Sequence, residues 1–416
     1  MKKIFSFLFA LLVLIKMSKR FWSMLNLLFP KLGFLFQDRI LMVLIICFMG
    51  IFFGSSLKKL EKKYILFMLI FLFCLIFSTF TNLKSDSSFL ENFSLLLSSY
   101  ILVVYLIISK TININIIDGK ICEKTILYFS FFQGILGIIQ HISKNAIVPI
   151  INSQGDAIVS SIYYLNGASS NKIFFIQQAG AQIRAFGMTD SALTLGLFML
   201  LSIAIIFTHD DLVNKFTQYL FLAVYVTTII FTLTRIVYFA SLILIIIYLF
   251  KGKMKITKSF YYISLLLQLV VLIVANHVDK ISNYFTSAFF SSFISRLEGY
   301  KFFLNYYGFS VRNFLFGFDN VSYGNFLKSI YTIDNELLNM YMDIGVIGCA
   351  IVFYIIGQSL DSCEENIPMD RAFISLFTFL GVTNSVYYFF SGVALFMNII
   401  YKRRRPSVKI ENEKQN

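Results

Sequence analysis

The sequence predicts an all-α polytopic membrane protein of about twelve transmembrane helices with two long extracytoplasmic loops. Three observations carry that prediction. Hydrophobic residues make up 58% of the chain and charged residues only 14%, more apolar surface than a soluble domain can hide. Apolar runs recur from Ile4 to Ile400. Basic residues gather in short segments between those runs: Lys58, Lys59, Lys62 and Lys63; Lys251, Lys253, Lys255 and Lys258; Lys402, Arg403, Arg404 and Arg405. This is the positive-inside bias, and it assigns those segments and both termini to the cytoplasm of a multi-pass protein of a bacterial cytoplasmic membrane. The same distribution argues against nucleic acid as a partner. The formal charge of +14 is spread along the chain and not collected on one aromatic-studded face.

A helix needs about 17 to 25 residues to cross a hydrocarbon core of roughly 30 Å. That length places spans near 21–36, 40–54, 64–81, 93–109, 125–143, 190–208, 215–233, 235–250, 258–275, 336–359, 371–387 and 388–401. Residues 4–15 are apolar but short and are followed by Lys16, Lys19 and Arg20. They read as an interfacial helix, as part of a longer first span or as an N-terminal addition, and no small-residue site marks a cleaved signal peptide. Phe216 to Phe250 would extend roughly 52 Å as one helix, far beyond a bilayer. It reads as a hairpin that turns at Thr232, Thr234 and Arg235, its only charge. Two long segments then emerge on the outer face, 144–189 and 276–335. The second carries Arg296, Glu298, Arg312 and Asp319, and its alternating aromatic and polar stretches read as amphipathic helices lying on the membrane. Residues 402–416 form a cytoplasmic tail, and 1–416 is a single integral membrane domain. The five cysteines show neither a disulfide framework nor a CxxC site, and His141, His209 and His277 are too scattered for a metal.

Four outer-face elements carry candidate chemistry. Arg184 lies in GAQIRAFGMTDSALTLG just before a span. Arg235 opens the second arm of the hairpin. Arg296 lies in SSFISRLEGYKFF. Asp334 and Asn335 begin DN-x9-GxxG, which closes on Gly345 and Gly348. An interfacial Arg binds phosphate oxygens through two parallel hydrogen bonds, which a Lys cannot do; three of them suit a pyrophosphate. Each also has a plainer role. A single Arg at this depth often reaches for lipid headgroups, and Asp334 or Asn335 can simply cap the following helix.

In their order, these elements resemble the superfamily of lipid-linked polysaccharide polymerases and O-antigen ligases, the Wzy and WaaL proteins. The resemblance runs from Arg184 to Gly348: RxxG before a span, a Thr-Arg hairpin, an Arg opening a large outer loop, Leu-Phe-Gly-Phe at 315–318, and DN-x9-GxxG. The ligases typically carry His where this chain has Asp334, and a Trp after the glycines that is missing here. Those departures point to the polymerases. The resemblance implies a membrane-embedded glycosyltransferase of the GT-C type that uses no metal, nucleotide or other cofactor. Its donor would be a growing glycan on undecaprenyl pyrophosphate, its acceptor another lipid-linked repeat unit, and its partners the bilayer, a chain-length regulator and a flippase. Arg184, Arg235 and Arg296 would then serve the diphosphate, Asp334 the acceptor hydroxyl and Asn335 its support. Ligation of glycan to a cell-envelope acceptor is the alternative enzyme. A flippase for the same lipid-linked oligosaccharide is the alternative of another class.

Overall fold

The computed structural model describes residues 2–18, 21–22, 25, 29, 31–32, 35, 38–56, 61–81, 88–111, 117–144, 178–179, 182–209, 211–250, 258–282, 288–306, 310–317, 334–360, 380–381 and 386–402. Its helices are α1 (Lys2–Met17), α2 (Asp38–Ser56), α3 (Lys62–Thr81), α4 (Phe89–Thr111), α5 (Gly119–Ser143), α6 (Ala192–Thr208), α7 (Lys215–Phe231), α8 (Arg235–Leu249), α9 (Lys258–Ala275), α10 (Val278–Ser282), α11 (Ala288–Tyr306), α12 (Val311–Phe316), α13 (Glu336–Leu360) and α14 (Tyr387–Lys402). A two-residue antiparallel pair, β1 (Gln178–Ala179) with β2 (Gln182–Ile183), precedes α6. Ten of the expected spans coincide with helices; those at 21–36 and 371–387 fall largely outside the described residues, as does most of the first outer loop. Among the described residues, α3, α4, α5 and α13 are long and apolar enough to cross a membrane. The described chain is therefore predominantly helical, with the apolar helices of a membrane protein. Only 28% of the apolar stretch of α3 is buried, against 72% for α4 and α13, so α3 turns most of its apolar surface away from the other described helices.

Local chemistry starts and stops these helices. Asp118, Ser191 and Asn214 cap α5, α6 and α7 by accepting from the backbone N–H of Lys120, Thr194 and Thr217. Between α7 and α8 the chain breaks at Thr232–Thr234, with Leu233 at φ 49°. The break is a reversal: Val237 packs on Gly196 near the start of α6, while Tyr248 stacks on Phe207 near its end, ring centroids 4.3 Å apart. The apolar run 216–250 is thus two helices, as its length demanded.

Helix α1 belongs to the bundle. It packs on α5, α14 and α2 with Phe9, Ala10, Val13, Leu14 and Met17 buried, and Ser6 accepts from the Asp118 backbone N–H at 2.8 Å. Helix α14 joins the two halves: Tyr387 stacks on Tyr100 of α4 at 4.9 Å, and Phe389 meets Phe198 of α6 at 4.9 Å.

Within the second outer loop one short helix, none of whose side chains is buried, rests against the bundle. Helix α12 packs between α3 and α13, Phe316 lying 4.6 Å from Phe77. It meets α13 at Gly345, nine residues and about 14 Å along that helix. There α13 is interrupted, Gly345 taking φ 65° and ψ −176°. A Cβ on Gly345 would stand 2.4 Å from the Leu315 carbonyl carbon, and one on Gly317 would stand 2.7 Å from the Gly345 nitrogen. Leu315–Gly317 and the first glycine of GxxG are two halves of one notch, where backbone comes close to backbone.

Candidate functional site

The candidate residues lie where α5 and α7 end and α6, α8, α13 and α14 begin. Arg184 follows β2. Its neighbour Ala185 donates its N–H to the Phe231 carbonyl at 2.8 Å, tying the segment to the last residue of α7 and so to the turn that carries Arg235. Two buried glutamines of α5 hold the next stretch. Gln140 Oε1 accepts from Phe186 N and Gly187 N at 3.0 and 3.1 Å, and Gln133 Oε1 accepts from Met188 N at 2.8 Å. Gly187 takes φ 56°, with the Gln133 carbonyl oxygen 2.9 Å from where its Cβ would be; this is the physical content of RxxG. His141 Nδ1–H donates to the Ile183 carbonyl at 2.5 Å, and the ring stacks on Phe231 at 4.1 Å. His141 therefore braces the segment.

This scaffold brings two arginines together. Arg184 is half-buried, and its Nε is buried without a hydrogen bond to any described residue. Burial pushes its pKa down; the Tyr238 hydroxyl opposes this and the Arg235 guanidinium adds to it. Arg235, the first residue of α8, is exposed. Two cations close enough to repel each other, one of them partly desolvated, form a place where an anion lowers the energy of both.

The second pair belongs to α11 and the mouth of α13. Arg296 Nε lies 2.9 Å from Asp334 Oδ2, with side chains 32% and 33% exposed. Asp334 does not cap α13. That role falls to Asn335, fully buried, whose Oδ1 accepts from Leu338 N at 2.8 Å. The preceding amides are also taken: Glu336 N donates to the Gly381 carbonyl at 2.9 Å and Leu337 N to Gln268 Oε1 at 3.1 Å. Asp334 is thereby left outside the helix, its carboxylate turned to Arg296. Chemically it is a base held beside a cation at the edge of an apolar bundle.

Three further groups complete this end, none of them singled out by motif. Glu336 is buried and accepts from Val386 N at 2.6 Å, locking α13 to the start of α14. Asp190 accepts from the Tyr388 hydroxyl at 3.1 Å and from Thr194 Oγ1 at 2.5 Å, joining the arginine segment to α14. Tyr300 is buried beside Arg296 and Asp334; its place four residues after Arg296 was the available signal. Among the described residues no group of His, Cys, Asp or Glu is arranged to hold a metal ion. No family model, characterised protein or solved structure matches the chain.

Proposed function

We propose that the protein polymerises undecaprenyl-pyrophosphate-linked repeat units into O-antigen or capsular polysaccharide at the outer face of the bacterial cytoplasmic membrane. On this reading it is a metal-independent glycosyltransferase of about twelve spans. The observation that carries it is the convergence of Arg184 and Arg235 at one end of an apolar bundle, with a buried guanidinium nitrogen that no described residue satisfies. A lipid-linked diphosphate supplies the anion that such a place favours and arrives from the membrane side.

In the proposed step the acceptor hydroxyl attacks the anomeric carbon that bears the pyrophosphate. Its proton passes to an Asp334 carboxylate oxygen, the bond from that carbon to the phosphate oxygen breaks, and undecaprenyl pyrophosphate leaves with the electron pair. Arg184 and Arg235 neutralise the leaving group. Arg296, which rests on Asp334 in the ligand-free chain, turns to the same diphosphate, and Asn335 keeps the mouth of α13 in place.

One observation favours a second reading, a flippase for the same lipid. Helix α13 is interrupted at Gly345 beside the buried Asp343, whose Oδ2 accepts from the Tyr100 hydroxyl at 2.8 Å. Broken helices with polar groups at mid-depth are common in transporters. The test is gene deletion with analysis of lipid-linked and surface glycan, followed by incubation of purified protein with lipid-linked repeat units. Loss of polymer with single units still displayed outside, and a ladder of lipid-linked products in vitro, is the expected result. Intact lipid-linked polymer that stays unattached would instead mean ligation, and repeat units confined to the inner leaflet would mean flipping.

A further inference from the structure

Near the Arg296–Asp334 pair one buried hydroxyl is without a hydrogen-bond partner among the described residues. Tyr300 is fully buried among Ala275, Val278, Leu297, Phe303, Leu338 and Met342. All of these are apolar, and a Phe would fill the position equally well. Its hydroxyl is buried and makes no hydrogen bond with any described residue, a costly arrangement that a chain retains where the group acts. Arg296 and Tyr300 stand one turn apart on α11 and share a face. The phenol senses both members of the pair: burial and then Asp334 displace its titration upward, while Arg296 works in the opposite direction. One face of α11 thus carries a charged donor and a neutral one, the neutral one packed with Leu338 and Met342 just beyond the mouth of α13, and among the described residues only the charged one is engaged with Asp334, at 2.9 Å.

We propose that Tyr300 is a positioning residue: its hydroxyl donates to the Asp334 carboxylate when Arg296 turns to the donor's diphosphate, so the base stays oriented while its cation is in use. The proposal deepens the polymerase reading and rests on it for the role of the diphosphate. Without a second donor, release of Arg296 would leave Asp334 free to rotate away from the acceptor hydroxyl. With Tyr300 one turn along, the carboxylate exchanges one hydrogen bond for another.

The test uses the full-length purified protein and its Tyr300→Phe, Asp334→Asn and Arg296→Gln variants. Tyr300→Phe keeps the ring and removes only the hydroxyl. Thermal stability is expected to stay at or above that of wild type, while kcat for polymerisation of lipid-linked repeat units falls about 10-fold with KM for the donor unchanged. Unchanged kcat would make Tyr300 a packing residue, and a raised KM with unchanged kcat would assign the hydroxyl to substrate binding; either overturns the proposal. A second arm needs no turnover. With Arg296→Gln the Tyr300 hydroxyl is the donor left to Asp334, so Tyr300→Phe should lower the midpoint of thermal unfolding in that background and not in wild type, and the difference should vanish when Asp334→Asn is added. Absence of this coupling overturns the proposal whatever the kinetics. Coupling present, with a wild type that makes no polymer, overturns the polymerase reading and keeps Tyr300 on Asp334.

Discussion

Asp334→Asn separates three roles that the same position can hold: cap, ion-pair partner and base. The cap contributes nothing to the expected effect, because Asn335 accepts from Leu338 N and the neighbouring amides of α13 have other partners. The ion pair contributes little. Its two side chains are about one-third exposed, and pairs of that kind are worth about 0.2–1 kcal/mol. An Asn at 334 still offers an oxygen to Arg296, so the midpoint of thermal unfolding should fall by no more than about 4 °C. The base is a different matter. An amide accepts a hydrogen bond but not a proton, and loss of general-base catalysis lowers turnover on the order of 10²-fold or more, equivalent to about 2.7 kcal/mol of barrier. The barrier effect thus exceeds the stability effect several-fold. The assay is polymerisation of lipid-linked repeat units by purified wild type and variant, with unfolding followed in parallel. Equal turnover would refute the reasoning and leave Asp334 as a partner for Arg296 alone.

Other perturbations test the remaining parts. Arg235→Lys keeps the charge but loses the planar fork, and since Arg235 is exposed protein abundance should hold while polymerisation falls on the order of 10²-fold; near-normal polymer would reduce it to a point charge. Gly345→Ala forces a side chain into a backbone region that only glycine tolerates, with its Cβ 2.4 Å from Leu315, and should cost on the order of 3 kcal/mol or more in thermal unfolding, releasing α12. Gly50→Ala is its control: among the described residues nothing beyond its own helix backbone and chain neighbours lies within 4 Å of the new Cβ, so stability should hold or rise by up to about 1 kcal/mol. In a background without native cysteines, cysteines at the exposed positions Gln182, Asn276 and Ser310 should react with an impermeant thiol reagent from outside and those at Glu61 and Asp211 only after permeabilisation. The reverse pattern would invert the topology.

Hydrophobicity and charge placement, both properties of the chain alone, determined that this is a helical membrane protein, where most helices run, and that 216–250 must fold back on itself. A helix has a fixed rise per residue and a bilayer a fixed thickness, so length by itself forces the reversal at Thr232–Thr234. The candidate residues were legible for the same reason: Arg184, Arg235, Arg296 and Asp334 are charges in a chain that carries few. Their partners were not, because partnership depends on which distant backbone atoms meet. Only the tertiary structure decided that Asn335 and not Asp334 caps α13, that Arg296 holds Asp334, and that Arg184 stands by Arg235 through the Ala185–Phe231 hydrogen bond. The docking of α12 on α13 was equally hidden. Its side chains stay at least partly exposed, and what holds it to α13 is the close approach of Gly317 and Gly345, a contact between segments whose spacing along the chain says nothing of their distance in space.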